Sequence, residues 1–260
     1  MGVILLQTRD PANCKGVDCS HWQGVPDWTK VKSAGISFAI LKATEGRTVV
    51  DDTVYTNYNG AKAAGMALGL YHFCRASDVH EAAAEAQFFA TVFDACGGLN
   101  GLDIPPILDI ETVHADSKQA ITEICHTWCE WIQRKYGVTP IIYSYPSFTN
   151  DYLDSSLSKY PIWMADYDGN PPQNRSGWTE WTFLQYTDKG QVPGIVGPVD
   201  LNEFNGGVDV LFNKMDAKIA QDLIDLCKAH YALATCQEEK ETWHERADEL
   251  RKMAGLPPDA

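Results

Sequence analysis

The stretch IPPILDIET, residues 104–112, carries an apolar run that ends in two acids. Ile107, Leu108 and Ile110 have the character of a strand buried on both faces, as strands are when helices cover both sides of a parallel sheet. Side chains two apart on a strand point the same way. Asp109 and Glu111 are therefore expected side by side at the end of that strand. Like charges held that close perturb each other's protonation. At a solvated strand end both acids would meet water; in a pocket they would make an acid/base pair.

Seven further stretches share this character: CKGVDCS, ISFAILKATEG, ALGLYHFC, TPIIYSYP, PIWMADY, TFLQYTD and GPVDLNEF. Helical segments separate several of them. HEAAAEAQFFATVFDACGG is alanine-rich and stops at a glycine pair. DSKQAITEICHTWCEWIQRKYG carries Ile121, Ile124, Cys125, Trp128 and Ile132 on one stripe and stops at Gly137. DWTKVKSAG and YTNYNGAKAAG are shorter candidates, each ending in glycine. Strands alternating with helices predict an α/β fold with a mostly parallel sheet, and eight of them predict a closed barrel. Residues 168–182 and 188–198 are poor in helix formers, so the barrel is expected to be irregular.

Polar and aromatic residues gather at the predicted strand ends, the face on which a parallel barrel carries its active site. The acids are Asp18, Asp109, Glu111, Asp166 and Asp200. With them stand Tyr71, Tyr143, Trp163, Tyr167, Gln185 and Tyr186. Rings that stack on pyranose faces, together with carboxylates for hydroxyls or acid/base work, are what a sugar site needs. Lys42 and Glu45 fit either substrate binding or a rim ion pair. His72 fits a hydrogen-bonded wall, and Trp22 and Trp28 fit packing of the first loop and helix.

The chain has 260 residues, is 45% hydrophobic, and carries a formal net charge of -14. The acidity argues against a nucleic-acid partner. No run approaches transmembrane length, so no membrane insertion is expected. The start, MGVILLQTRDPANC, makes a poor signal peptide. The eight cysteines form no C-x-x-C pair, which leaves zinc ligation weak and favours reduced thiols. No metal or cofactor is expected.

KGVDCSHWQGVPDW, FAILKATEG, GLYHF, PPILDIE, PIIYS, PIWMADY and GPVDLNEFNG stand in the order found in glycoside hydrolase family 25 lysozymes, which the chain resembles over about residues 15–213. The resemblance implies an irregular, flattened TIM-like β/α barrel. It implies cleavage of the β-1,4 bond between N-acetylmuramic acid and N-acetylglucosamine in peptidoglycan glycan strands. Carried over by position, Glu111 is the general acid, with Asp109, Asp18 and Asp200 lining the catalytic pocket. Cys19 departs from the family's usual small or aliphatic residue, and following Asp18 it should point away from the pocket. Asp109 would either attack the anomeric carbon or orient the substrate's own 2-acetamido group, the course toward which the family's D-x-E strand leans. A non-catalytic peptidoglycan-binding barrel is the alternative, and the four acids argue against it. A chitinase would need acids where Ile104 and Ile107 stand.

Residues 1–213 are thus expected to form the catalytic barrel and 214–260 a C-terminal helical extension. The extension is expected to be helical from about Asp216 to Ala254, with a break allowed by capping boxes at Thr235 and Thr242. Ile219, Leu223, Leu226, His230 and Leu233 form its apolar stripe, which suits docking on the barrel or a homo-oligomer. The expected setting is a phage endolysin, made in the host cytoplasm and reaching the cell wall after holin-dependent release.

Overall fold

The computed structural model describes residues 2–207, 210, 217–234 and 236–253. The chain divides into two compact units, Met1–Val208 and Asp209–Ala260. In the first, all eight runs become strands: β1 (Cys14–Cys19), β2 (Phe38–Glu45), β3 (Ala67–Phe73), β4 (Ile107–Asp109), β5 (Ile141–Ser144), β6 (Ile162–Ala165), β7 (Phe183–Gly190) and β8 (Val199–Phe204). They pair in chain order, and β8 returns to β1, closing the barrel.

The pairings from β1 through β7 are parallel. Those of β8 with β7 and β1 are antiparallel. β8 therefore brings its first residues, not its last, to the face where the other strands end. Asp200 reaches that face from the start of its strand, a reversal that an apolar pattern does not encode.

Helices α1 (Trp28–Ser33), α2 (Val54–Ala63), α3 (Val79–Ala95) and α4 (Lys118–Tyr136) follow the first four strands. The Asp78 side chain accepts from the His80 and Glu81 amides and starts α3. Ser117 does the same for α4 through the Ala120 amide, and Gly137, at φ 71°, ends it. α4 buries the stripe Ile121, Ile124, Cys125, Trp128, Cys129 and Ile132 against the barrel's outer layer. A short helix, α5 (Pro146–Tyr152), follows β5 with proline in its first turn; it is too short to show a period in the sequence. Residues 166–182 and 191–198 hold no helix.

The end of the barrel opposite the strand-end face is plugged by rings. Phe183 packs edge-on against Phe38 at 5.3 Å and at a tilt against Phe204 at 5.0 Å. Gly16 leaves the room: a Cβ there would meet the Phe38 ring at 2.1 Å. Nearby, the buried Glu203 carboxylate gathers the N-terminal segment. It accepts from Arg9, Lys15 and Asn13 side chains and from the Asp10 amide at 2.8–2.9 Å.

The second unit holds two helices, α6 (Ala217–Leu233) and α7 (Gln237–Met253). Ile224, Cys227 and Ala247 are buried between them, with Trp243 and Leu250 packed alongside. The His230 ring stacks on Trp243 at 4.5 Å. Of the expected stripe, His230 packs on α7, while Leu223, Leu226 and Leu233 are 38%, 53% and 78% exposed. Two neighbouring faces of α6 are apolar, and α7 takes the one with Ile224 and Cys227. The expected helical limits Asp216 and Ala254, the expected cap Thr235 and the Ile219 side chain lie outside the described residues. Among the described residues, no helix is long and apolar enough to cross a membrane. Seven of the cysteines are buried and Cys236 is exposed.

Candidate active site

The strand-end face of the barrel opens into a pocket of about 220 Å³. Its floor is aromatic. Trp163, 2% exposed, meets Tyr143 edge-on at 4.5 Å and Tyr71 at 6.2 Å. The Trp163 indole N–H donates to Asn202 Oδ1 at 2.8 Å, and Asn202 Nδ2 donates to Asp18 Oδ2 at 2.7 Å. Gln185 ties the other wall together. Its Nε2 donates to Asp18 Oδ2 at 2.9 Å, while its Oε1 accepts from the Tyr143 and Tyr167 hydroxyls at 2.9 and 2.6 Å. Asp18, Asn202 and Gln185 are each held by at least two others, so the site is shaped before any ligand arrives.

Four carboxyl groups line the pocket: Asp18, Asp109, Glu111 and Asp200. Asp109 ends β4. The ladder continues one residue further, because the Ile110 amide donates to Tyr143 O at 3.0 Å. That places Glu111 two residues on, facing the same pocket. Asp109 is 5% exposed, and its Oδ1 has no hydrogen-bond partner. A buried, unpartnered carboxylate is costly, so the neutral form is favoured. Burial, then the charge of Glu111, push Asp109 well above the usual carboxylate range; Lys42 opposes them. Glu111 is also raised, first by burial, with Lys42 and Arg75 opposing and Asp200 assisting. Asp18 is raised by burial and then by Asp200, against the hydrogen bonds from Asn202 and Gln185.

One cation lines the pocket. Lys42 Nζ bonds Glu45 Oε2 at 2.5 Å, and Arg75 holds the other Glu45 oxygen at 2.8–2.9 Å. Lys42 and Glu45 are thus a rim ion pair whose lysine also faces the acids. Among the described residues, no group of three or more His, Cys, Asp or Glu is arranged to hold a metal ion.

A closed barrel with acids and rings on its strand-end face is matched by known proteins. Residues 17–195 fit the family described as Glycosyl hydrolases family 25. Lysozyme M1 of Streptomyces globisporus is 37% identical over 208 residues, 76% of this chain and 69% of that protein. The chain belongs to glycosyl hydrolase family 25. It is a glycoside hydrolase. The crystal structure of the bacterial lysozyme from Streptomyces coelicolor superposes with a TM-score of 0.70 at 33% identity, covering 79% of this chain and all of that one. The CTP1L endolysin gives a TM-score of 0.67 at 28% identity, covering 83% of this chain and 80% of that one.

In this family 25 hydrolase, Tyr71, Tyr143, Trp163, Tyr167 and Gln185 all reach the pocket, as their strand-end positions suggest. Tyr186 does not. Gln185 points inward, and Tyr186 is the extra residue of a bulge between the Gln185–Asn202 and Thr187–Leu201 pairs. Its ring lies under the Arg9 guanidinium at 3.4 Å. Asp166 is not among the lining residues; its carboxylate accepts from the Asp168 amide at 3.3 Å. His72 is not among the lining residues; it lies buried toward the helices, between Thr44 Oγ1 at 2.8 Å and Glu85 Oε2 at 2.9 Å, with its ring stacked on Trp128. Cys19 packs in the core outside the barrel. Trp28 is buried, but Trp22 is 81% exposed and lines the pocket, with Ser20 and Phe73. Only the loop position of Trp22, four residues after Asp18, signals this in the sequence.

Proposed function

We propose that this family 25 hydrolase is a peptidoglycan muramidase that cleaves the β-1,4 bond between N-acetylmuramic acid and N-acetylglucosamine. The observation that carries the reading is the placement of Asp109 and Glu111 side by side over a floor of Tyr71, Tyr143 and Trp163. Glu111, half-buried and raised, is the general acid that protonates the leaving oxygen. Asp109 keeps one buried oxygen without a partner. That oxygen is free to accept the N–H of the sugar's 2-acetamido group and orient its carbonyl for attack on the anomeric carbon, a substrate-assisted course. Asp18 and Asp200 shape the far wall. Tyr71, Tyr143, Trp163, Tyr167 and Gln185 hold the sugar.

The biological setting we assign is a phage endolysin, released to the cell wall through a holin. Likeness to the CTP1L endolysin supports it. The barrel does the chemistry in this reading, and residues 214–260 serve assembly. To test the cleavage, purified peptidoglycan is digested and the products are reduced with borohydride. New muraminitol ends are expected; glucosaminitol ends would make the protein a glucosaminidase.

A further inference from the structure

Trp22 stands out in the loop after β1. It leaves its side chain 81% exposed, although burying a large apolar side chain is favourable. Single exposed apolar residues are ordinary on protein surfaces. Two observations set this one apart. First, it lines the acid pocket. Second, its backbone is pinned from several sides. Ser20 and Gln23 form a capping box around the turn His21–Gln23. Asp51 Oδ2 holds the His21 amide at 3.0 Å and the His21 ring at 2.9 Å. Asn57 donates to Gly24 O at 2.9 Å. The His21 ring lies 4.7 Å from the indole. The fold therefore places at least four polar contacts on fixing a loop whose most exposed side chain touches little beyond the neighbouring His21 ring.

We propose that Trp22 is a glycan platform: its indole face stacks on the apolar C–H face of a pyranose ring of the substrate strand, at the rim of the catalytic pocket. A rigid ring has little freedom left to lose on binding, so contact made there goes into affinity. The indole touches no acid and takes no part in proton transfer, so its contribution falls on binding rather than on bond cleavage. This rests on the muramidase reading, which supplies the pyranose strand.

The test uses the full chain and soluble glycan tetrasaccharide prepared from peptidoglycan. In a Glu111→Gln background, which binds without cleaving, Trp22→Ala should weaken tetrasaccharide binding about tenfold, the loss expected when an aromatic anchor is truncated. Trp22→Phe should recover most of that loss. With Glu111 intact, Trp22→Ala should show its effect in KM rather than in kcat. Melting temperatures should match, since the indole packs on little. A Trp22→Ala protein with the parent's affinity and KM overturns the platform and leaves the muramidase reading intact. A parent that neither binds nor cleaves the glycan would overturn both.

Discussion

Asp18 on β1 and Asp200 on β8 sit opposite each other across the antiparallel seam that closes the barrel. Only the reversed direction of β8 brings them together. Burial raises both carboxyls; the charge of Asp200 adds to the effect on Asp18, and the Asp18 hydrogen bond opposes it at Asp200. Two acids this close titrate as a pair. With Asp109 and Glu111, also raised, the pocket concentrates groups that prefer to be neutral.

That preference has a stability consequence. A carboxyl whose pKa is higher in the folded than in the unfolded state stabilises the fold below the unfolded value, near pH 4. The contribution is lost as pH rises through the folded value. Asp109→Asn removes one such group without changing its shape. Its melting temperature should exceed the parent's at pH 7 by a few degrees, at about 2–4 °C per kcal/mol. The gain should vanish near pH 3, as thermal scans across pH will show. The same variant should lose most of its lytic activity, since a neutral amide no longer offers the carboxylate that orients the acetamido group.

The activity profile should carry the mark of Lys42. Glu111 works as an acid only while protonated, so kcat/KM should fall as pH rises through its raised pKa. Lys42 holds that pKa down. Lys42→Met should move the alkaline limb of the kcat/KM profile to higher pH. A limb that stays in place would mean that another group controls it.

Glu203 stabilises the opposite end of the barrel. Burial pushes its carboxyl up, but bonds from Lys15, Asn13, Arg9 and the Asp10 amide outweigh this and hold it below the usual range. Its contribution is present above the unfolded pKa and lost as pH falls through the folded one. Glu203→Ala strands Arg9 and Lys15 and should lower the melting temperature by roughly 5–10 °C at pH 7. Scanning calorimetry at pH 7 checks this.

The helical unit Asp209–Ala260 should act in assembly and not in chemistry. Leu223, Leu226 and Leu233 are exposed on α6. Ending the chain at Val208 should lower the mass seen by light scattering to that of a monomer while cleavage of soluble glycan survives. An unchanged mass would remove the assembly role.

The eight strands were legible because each pairs a short apolar run with turn residues, and the long helices because α3 and α4 carry both a stripe and a stop. Asp109 and Glu111 were legible from the period of two. Four features were not. The reversal of β8 leaves no trace in an apolar run. Tyr186 looks like a site residue until the bulge after Gln185 turns it outward. In α6, Leu223 and Ile224 offer equal apolar faces, and the position of α7 selects one. Trp22 was hidden for another reason: a tryptophan in a loop suggests packing, and its exposure depends on bonds from Asp51 and Asn57, which lie far along the chain.

The account stands or falls on Glu111. The measurement is the rate of new reducing ends released from purified peptidoglycan by Glu111→Gln, with circular dichroism confirming the fold. The amide keeps the shape and removes the transferable proton, so the rate should fall by about a hundredfold to ten-thousandfold. A folded Glu111→Gln protein that releases reducing ends at the parent's rate would contradict the assignment of the acid, and with it the mechanism.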